Sequence, residues 1–167
     1  QDELRAFLEK GDIPCGCTLL GLSAIPTEHP LNKGMLGMHG NLGPNIKTNE
    51  CDVLIAVGMR FDDRVTGNLN TYAKQAKIIH LDIDPSEFNK NVKVDIPVLG
   101  NCKKTLAKLT ELLEEKKHTE WIDSFKEYEQ IEYSRVIEKE LYPQGGPLNM
   151  GEVVRAVSDA TNHEAIL

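Results

Sequence analysis

No stretch of this chain reaches the roughly 20 consecutive apolar residues needed to span a bilayer, so a membrane-spanning helix is not its organising element. Basic residues do not dominate either: 19 Lys and Arg stand against 26 Asp and Glu, a formal net charge of -7. A broad nucleic-acid footprint wants a basic face, so neither nucleic acid nor membrane is expected as a partner. The four cysteines, Cys15, Cys17, Cys51 and Cys102, include no Cys-x-x-Cys pair. Cys15 and Cys17 point to the same face of an extended segment, with no nearby His to complete a zinc site. All four read as free thiols in a reducing cytoplasm, and no metal site is expected. The Gly-x-Gly-x-x-Gly fingerprint after a first strand is missing, as are internal repeats and low-complexity segments. The start, Gln1-Asp2-Glu3-Leu4-Arg5, has no initiator Met and no signal-peptide pattern, and reads as an internal stretch of a longer chain.

What is present is an ordinary globular composition, 40% hydrophobic and 27% charged over 167 residues, enough for one domain with a real core. An amphipathic helix is predicted over 2–10, stopped by Gly11. Short strands are predicted over 13–17, 52–57, 77–82 and 96–99. Between them lie short helices over 45–50 and 69–75, and a helix entry at Pro85. A long helix is predicted over 102–117, striped by Leu106, Leu109, Leu112 and Leu113. The highly charged stretch 118–141 is helical with a thin apolar stripe, and 142–147 breaks it. Asn149 caps a last helix over 150–161, and Ala165-Ile166-Leu167 reads as the start of a strand. Strand–helix alternation of this kind predicts an α/β fold, an open parallel sheet with helices on both faces.

In such sheets ligands bind beyond the carboxyl ends of the strands. Here those ends deliver Thr18-Leu19-Leu20, then Gly58 to Arg64, then Asp82-Ile83, then Gly100-Asn101. The stretch Gly58-Met59-Arg60-Phe61-Asp62-Asp63-Arg64-Val65-Thr66-Gly67 spends two Arg and two Asp within five residues. Such a cluster is costly near a core unless the charges pair with one another or with a ligand. From Leu22 to Asn45 there is no sustained period, and Gly34, Gly37 and Gly40 recur every third residue, which lets backbone approach a ligand closely. Met38 and His39 sit among them as a soft apolar surface and a polar group, or as plain core filling and a satisfied structural histidine, respectively. Asp82 suits a ribose hydroxyl at a strand end, or equally a local cap, and Asp82-x-Asp84 lacks a third residue to make a metal site. Taken together these features predict a nucleotide-binding α/β domain.

Five segments, Thr18-Leu19-Leu20-Gly21-Leu22, His29-Pro30-Leu31, Gly34 to Gly40 (GMLGMHG), Arg60 to Gly67 (RFDDRVTG) and His80 to Pro85 (HLDIDP), resemble the acetolactate synthase (acetohydroxyacid synthase) large-subunit family of thiamine-diphosphate enzymes. The resemblance is strong over 13–117 and compatible over 118–167. It implies a Rossmann-like central, FAD-binding-type domain over 1–117, its N-terminal part missing. It further implies a helical linker over 118–147 and the beginning of the thiamine-diphosphate-binding domain over 148–167. The implied reaction condenses two pyruvates, or pyruvate and 2-ketobutyrate, to 2-acetohydroxyacids with release of CO2. This is a step toward the branched-chain amino acids isoleucine and valine.

The cofactors implied for the intact enzyme are thiamine diphosphate, Mg2+ and FAD. The implied partners are a second or further catalytic subunits, as homodimer or homotetramer, and a small regulatory subunit. By the same resemblance FAD meets Thr18, Leu19, Leu20, Leu36, Gly37, Met38, His39, Gly58, Met59, Arg60, Asp62, Arg64 and Val65. Asp82, Ile83, Glu87, Gly100, Asn101 and Cys102 approach its adenosine side. Arg64, Met38 and Asp63 border the substrate channel, with Asp63 as an ion-pair partner for the arginines. Asn101 stands where the family usually has an acid. This stretch alone is expected to carry at most a partial FAD site and no catalytic residue. A non-catalytic nucleotide-binding module of the same fold is the alternative.

Overall fold

A computed structural model describes residues 1–165. Its chain divides into two compact units, Gln1–Lys126 and Glu127–Leu167. In the first, α1 (Asp2–Gly11) leads into β1 (Cys15–Cys17), which pairs in parallel with β2 (Asn32–Met35). Helix α2 (Leu42–Thr48) follows. Strands β3 (Val53–Val57), β4 (Lys77–Asp82) and β5 (Ile96–Leu99) then form a second parallel sheet in that order. A single helical turn, α3 (Asp63–Thr66), follows β3, and α4 (Cys102–Leu112) follows β5. Parallel strands flanked by helices are the α/β class that the alternation of elements predicts.

Several boundaries differ from the sequence reading, each for a local reason. Strand β2 lies inside the stretch read as structureless, because its Asn-Lys-Gly-Met carries no alternation for a period of two to register. It also claims β1 as its partner, so the expected single sheet is two sheets. Residues 69–75 form turns rather than a helix. There Ala73 takes a positive φ of 46° while its N–H donates to Asn49 Oδ1 at 2.8 Å. Helix α4 stops at Leu112, short of 117, because Leu113 turns to extended backbone. His118 N then donates to Asp12 Oδ2 at 2.7 Å, and Lys117 Nζ lies 3.7 Å from Asp12 Oδ1. These bonds tie the chain back to α1, so the first unit runs past residue 117 through α5 (Thr119–Asp123) to Lys126.

Two apolar clusters fill this unit. Phe7, Leu8, Cys17, Ile25, Leu31, Leu81 and Leu106 make one, and Ala56, Phe61, Tyr72, Ala73, Ile78 and Val94 the other. They lie on opposite faces of β4, since Leu81 feeds the first and Ile78 the second, as alternate strand residues must. Each fully buried side chain of this size contributes about 1.5–3 kcal/mol.

The highly charged stretch continues as α6 (Lys126–Glu132), a π-helical turn over Tyr133–Ile137, and α7 (Glu138–Leu141). Helix α8 (Met150–Ala160) in the second unit opens with a capping box. Asn149 Oδ1 accepts from Glu152 N at 2.9 Å, and Glu152 Oε2 accepts from Asn149 N at 3.1 Å, satisfying two otherwise orphan donors. The strand expected from Ala165 onward falls on Ile166 and Leu167, outside the described residues. Among the described residues no helix is long and apolar enough to cross a membrane.

Candidate functional site

Both parallel sheets end their strands on loops rich in exposed apolar and charged groups. After β1, Gly21 N donates to Thr18 O at 2.8 Å, closing a 3-10 turn over Leu19–Gly21. This turn leaves Leu20 98% exposed. After β2 the GMLGMHG loop is held by two asparagines that the sequence reading did not single out. Asn41 Oδ1 accepts from Met35 N at 2.7 Å. Asn45 clasps Gly37 from both sides, accepting from its N–H at 2.9 Å and donating to its carbonyl at 2.9 Å, with a third bond to Asn41 O at 3.0 Å. The available signal was a pair of Asn four residues apart just after the glycines, which lets one helical turn carry both amides.

Gly37 is needed where it stands. Its φ is +103°, and a Cβ there would lie 2.6 Å from the carbonyl oxygen of Arg64. That carbonyl accepts from Met38 N at 2.8 Å. The bond joins the loop after β2 directly to the loop after β3. The Arg64 guanidinium also reaches back, with Nη1 3.5 Å from Met38 Sδ. The GMLGMHG and RFDDRVTG strings therefore form one surface, with Met38 62% exposed upon it.

Within RFDDRVTG the acids divide differently from expectation. Asp62 is the N-cap of α3, its Oδ1 accepting from Arg64 N at 3.0 Å, and its Oδ2 lies 3.7 Å from Arg60 Nε. The ion pair of this loop thus joins Arg60 to Asp62, not to Asp63, whose carbonyl accepts from Gly67 N at 3.0 Å. An Asp at an N-cap accepts what its neighbour Asp63, already inside the helix, cannot reach. Phe61 carries a positive φ of 51°, and its buried ring meets Tyr72 and His80 edge-on at 6.2 and 5.1 Å between centroids. This buried anchor throws Arg60 and Arg64 outward.

At the end of the second sheet, Gly58 N donates to Leu81 O and Gly100 N to Asp82 O, both at 2.8 Å. Gly58 (φ +60°), Cys102 and Asp82 converge there: a Cβ on Gly58 would lie 3.7 Å from Cys102 Sγ. Burial and then the charge of Asp82 push the Cys102 thiol up. Asp82 Oδ1 accepts from Asp84 N at 2.9 Å, while Ile83 is 68% exposed beside it. Asp84 caps the turn at Pro85, and its bonds from Ser86 hold its carboxyl below the usual range. Asn101 caps α4, its Oδ1 accepting from Lys104 N at 3.4 Å. Glu87 turns to Lys90, 2.7 Å away. Met59 and Val65 are half-buried beneath the loop, Leu36 is half-buried with its N–H bonded to Cys17 O, and His39 is exposed. Cys15 and Cys17 are free, and Cys15 Sγ donates to Gly16 O at 3.8 Å; the influence of each thiol on the other holds Cys17 down, to about 7, and pushes Cys15 up.

Residues 1–109 match the family model described as the central domain of thiamine pyrophosphate enzymes. The chain belongs to that family. Relatives of this central domain include the probable acetolactate synthase large subunit of Methanocaldococcus jannaschii, 39% identical over 99% of this chain and 29% of that protein. The acetolactate synthase large subunit of Corynebacterium glutamicum is 45% identical over 75% of this chain and 21% of its own length. Isozyme 2 of the Escherichia coli large subunit is 49% identical over 66% of the chain and 20% of its own. The chain thus spans less than a third of the length of these relatives.

Proposed function

We infer that this chain is the central domain of an acetolactate synthase large subunit, working as part of a longer protein that condenses pyruvate with a second 2-ketoacid and releases CO2. The observation that carries the reading is the bond from Met38 N to Arg64 O at 2.8 Å. It welds two loops into one face in a chain whose relatives carry that enzyme's name. Pyruvate and 2-ketobutyrate are the proposed substrates, and a partner catalytic subunit and a small regulatory subunit the proposed partners. The proposed domain division is a central domain over 1–117, a linker over 118–147 and the start of the thiamine-diphosphate domain over 148–167. The proposed setting is the cytoplasm.

The residues fit a flavin. Gly37, at φ +103°, lets the two loops close on one another, and Gly58, at φ +60°, stands exposed at the carboxyl end of β3. Leu19, Leu20, Met38 and Ile83 offer exposed apolar area for a flat ring or an adenine, and Asp82 offers an acceptor for a ribose diol. FAD in this role carries no net oxidation; thiamine diphosphate with Mg2+, when bound to the intact enzyme, makes the ketoacid carbon nucleophilic. This chain's own part is to hold the flavin with Thr18, Leu36, Gly37, Met59, Arg60, Asp62, Val65, Gly100, Asn101 and Cys102. Arg64 presents its guanidinium, free to swing from Met38, to the incoming carboxylate.

In the intact enzyme Arg64→Ala should raise the KM for the second ketoacid about 10- to 100-fold, the worth of one charge-assisted hydrogen-bonded pair. Flavin content, read by absorbance after gel filtration, should fall far less. Equal loss of both would make Arg64 a cofactor anchor and remove it from the substrate route. Absence of acetolactate formation with all three cofactors supplied would sink the enzyme reading.

A further inference from the structure

His80 lies in the middle of β4 with no exposed surface, and neither ring nitrogen has a hydrogen-bond partner. An imidazole buried in this way costs free energy unless something uses it. Its ring is held edge-to-face between Phe61 at 5.1 Å and Phe88 at 5.2 Å, so apolar walls define its orientation. Two residues further along the strand, and so on the same face, stands Asp82, whose Oδ2 lies 3.6 Å from His80 Nε2. The other carboxylate oxygen, Oδ1, is already committed to Asp84 N at 2.9 Å. Asp82 is only 9% exposed, so its carboxylate has little solvent to turn into.

We propose that His80 is a positioning residue for the ligand edge: its Nε2–H steers the Asp82 carboxylate so that one oxygen stays presented to a ribose diol. With Oδ1 bonded to the Asp84 N–H and Oδ2 3.6 Å from His80 Nε2, both carboxylate oxygens are restrained at the carboxyl end of β4. The same imidazole abuts Phe61, whose left-handed backbone throws Arg60 and Arg64 outward. His80 therefore touches the anchors of two of the loops that make the edge, while meeting no ligand itself. The flanking charged and titratable groups fit this role: Glu87 turns away to Lys90, and Cys102 sits on the Asp82 side. The proposal rests on the reading of this edge as the adenosine side of a flavin site.

The test uses the intact holoenzyme stripped of flavin, with FAD and flavin mononucleotide as probes and fluorescence quenching as readout. The mononucleotide lacks the adenosine half. His80→Leu should weaken FAD about tenfold, because the polar ring edge 3.6 Å from the Asp82 carboxylate is lost, and leave flavin mononucleotide unchanged. His80→Gln, whose amide nitrogen can replace Nε2, should restore most of the FAD affinity, whereas His80→Asn, one carbon shorter, should not. Adding His80→Leu to Asp82→Ala should weaken FAD no further than Asp82→Ala alone. Should His80→Leu not fold, the Gln and Asn variants carry the same comparison. Unchanged FAD affinity in the His80 variants, with Asp82→Ala weakened, overturns the role of His80 and leaves the edge reading intact. Equal weakening toward both flavins, in Gln as in Asn, assigns His80 to plain packing and overturns it too. If Asp82→Ala binds FAD as the wild type does, the adenosine-side reading itself fails, and the proposal with it.

Discussion

Replacing Gly37 by alanine probes the weld between the two loops. The new Cβ would sit 2.6 Å from Arg64 O and 3.3 Å from its carbonyl carbon, on a backbone at φ +103°. Holding a non-glycine residue in such a region costs about 1–3 kcal/mol. The crowded carbonyl must also retreat, which breaks the Met38 N bond, a net loss of about 0.5–1.5 kcal/mol. Alanine restricts the unfolded chain as well, which offsets about 0.4–1 kcal/mol. The balance is a destabilisation of about 2–3 kcal/mol, and with a urea m-value of roughly 2 kcal/mol/M the midpoint drops by about 1–1.5 M. Gly67→Ala is the matched control: its φ is +56°, yet a Cβ would meet nothing within 4 Å. There φ +56° with ψ -123° lies outside the αL well and costs a non-glycine residue about 1–3 kcal/mol, offset in part by the same unfolded-state restriction, so its midpoint should fall by only about 0.5–0.7 M. Urea titration of both variants, followed by circular dichroism, makes the comparison. Equal shifts would refute the reasoning, because they would mean that backbone strain alone matters and the Arg64 carbonyl yields at no cost.

Two further outcomes follow from the same geometry. Asn45→Ala removes the acceptor of the Gly37 N–H and the donor to its carbonyl; amide exchange at Gly37 should accelerate by about tenfold or more, and unchanged protection would show that the loop holds itself. The Cys102 thiol is pushed up by burial and then by Asp82, so iodoacetamide should alkylate it more slowly at pH 8 than a free thiol. Asp82→Asn removes the raising charge, increases the thiolate fraction at that pH and should speed the reaction, while an unchanged rate would mean that Asp82 does not act on this sulfur.

Much of the edge was legible because its residues are improbable elsewhere. Two glycines with positive φ, an Arg-rich loop after a branched strand, and an acid at a strand end each have a local physical reason, and all three lie where the strand pattern puts them. The assignments that went astray depended on partners far along the chain. Asp63 was read as the ion-pair partner because both acids are equally close in sequence, and only the start of α3 at that point makes Asp62 the cap and the partner of Arg60. Strand β2 escaped notice because four residues with no alternation become a strand only by pairing with β1. His80 was quoted as part of a motif but given no role, since one polar residue in a buried strand has no meaning until its neighbours are known.

Local sequence determined the α/β class, the order of most strands and helices, the family motifs and the loops at the strand ends. These rest on periodicity, caps and glycines, which act within a few residues of themselves. Tertiary structure alone decided that the strands split into two sheets, that Asn45 clasps Gly37, that Gly37 abuts the Arg64 carbonyl, and that His80 stands caged beside Asp82. Each of these depends on which distant segments the core brings within a few ångströms of one another. That is set by the packing of the whole unit rather than by any stretch of it.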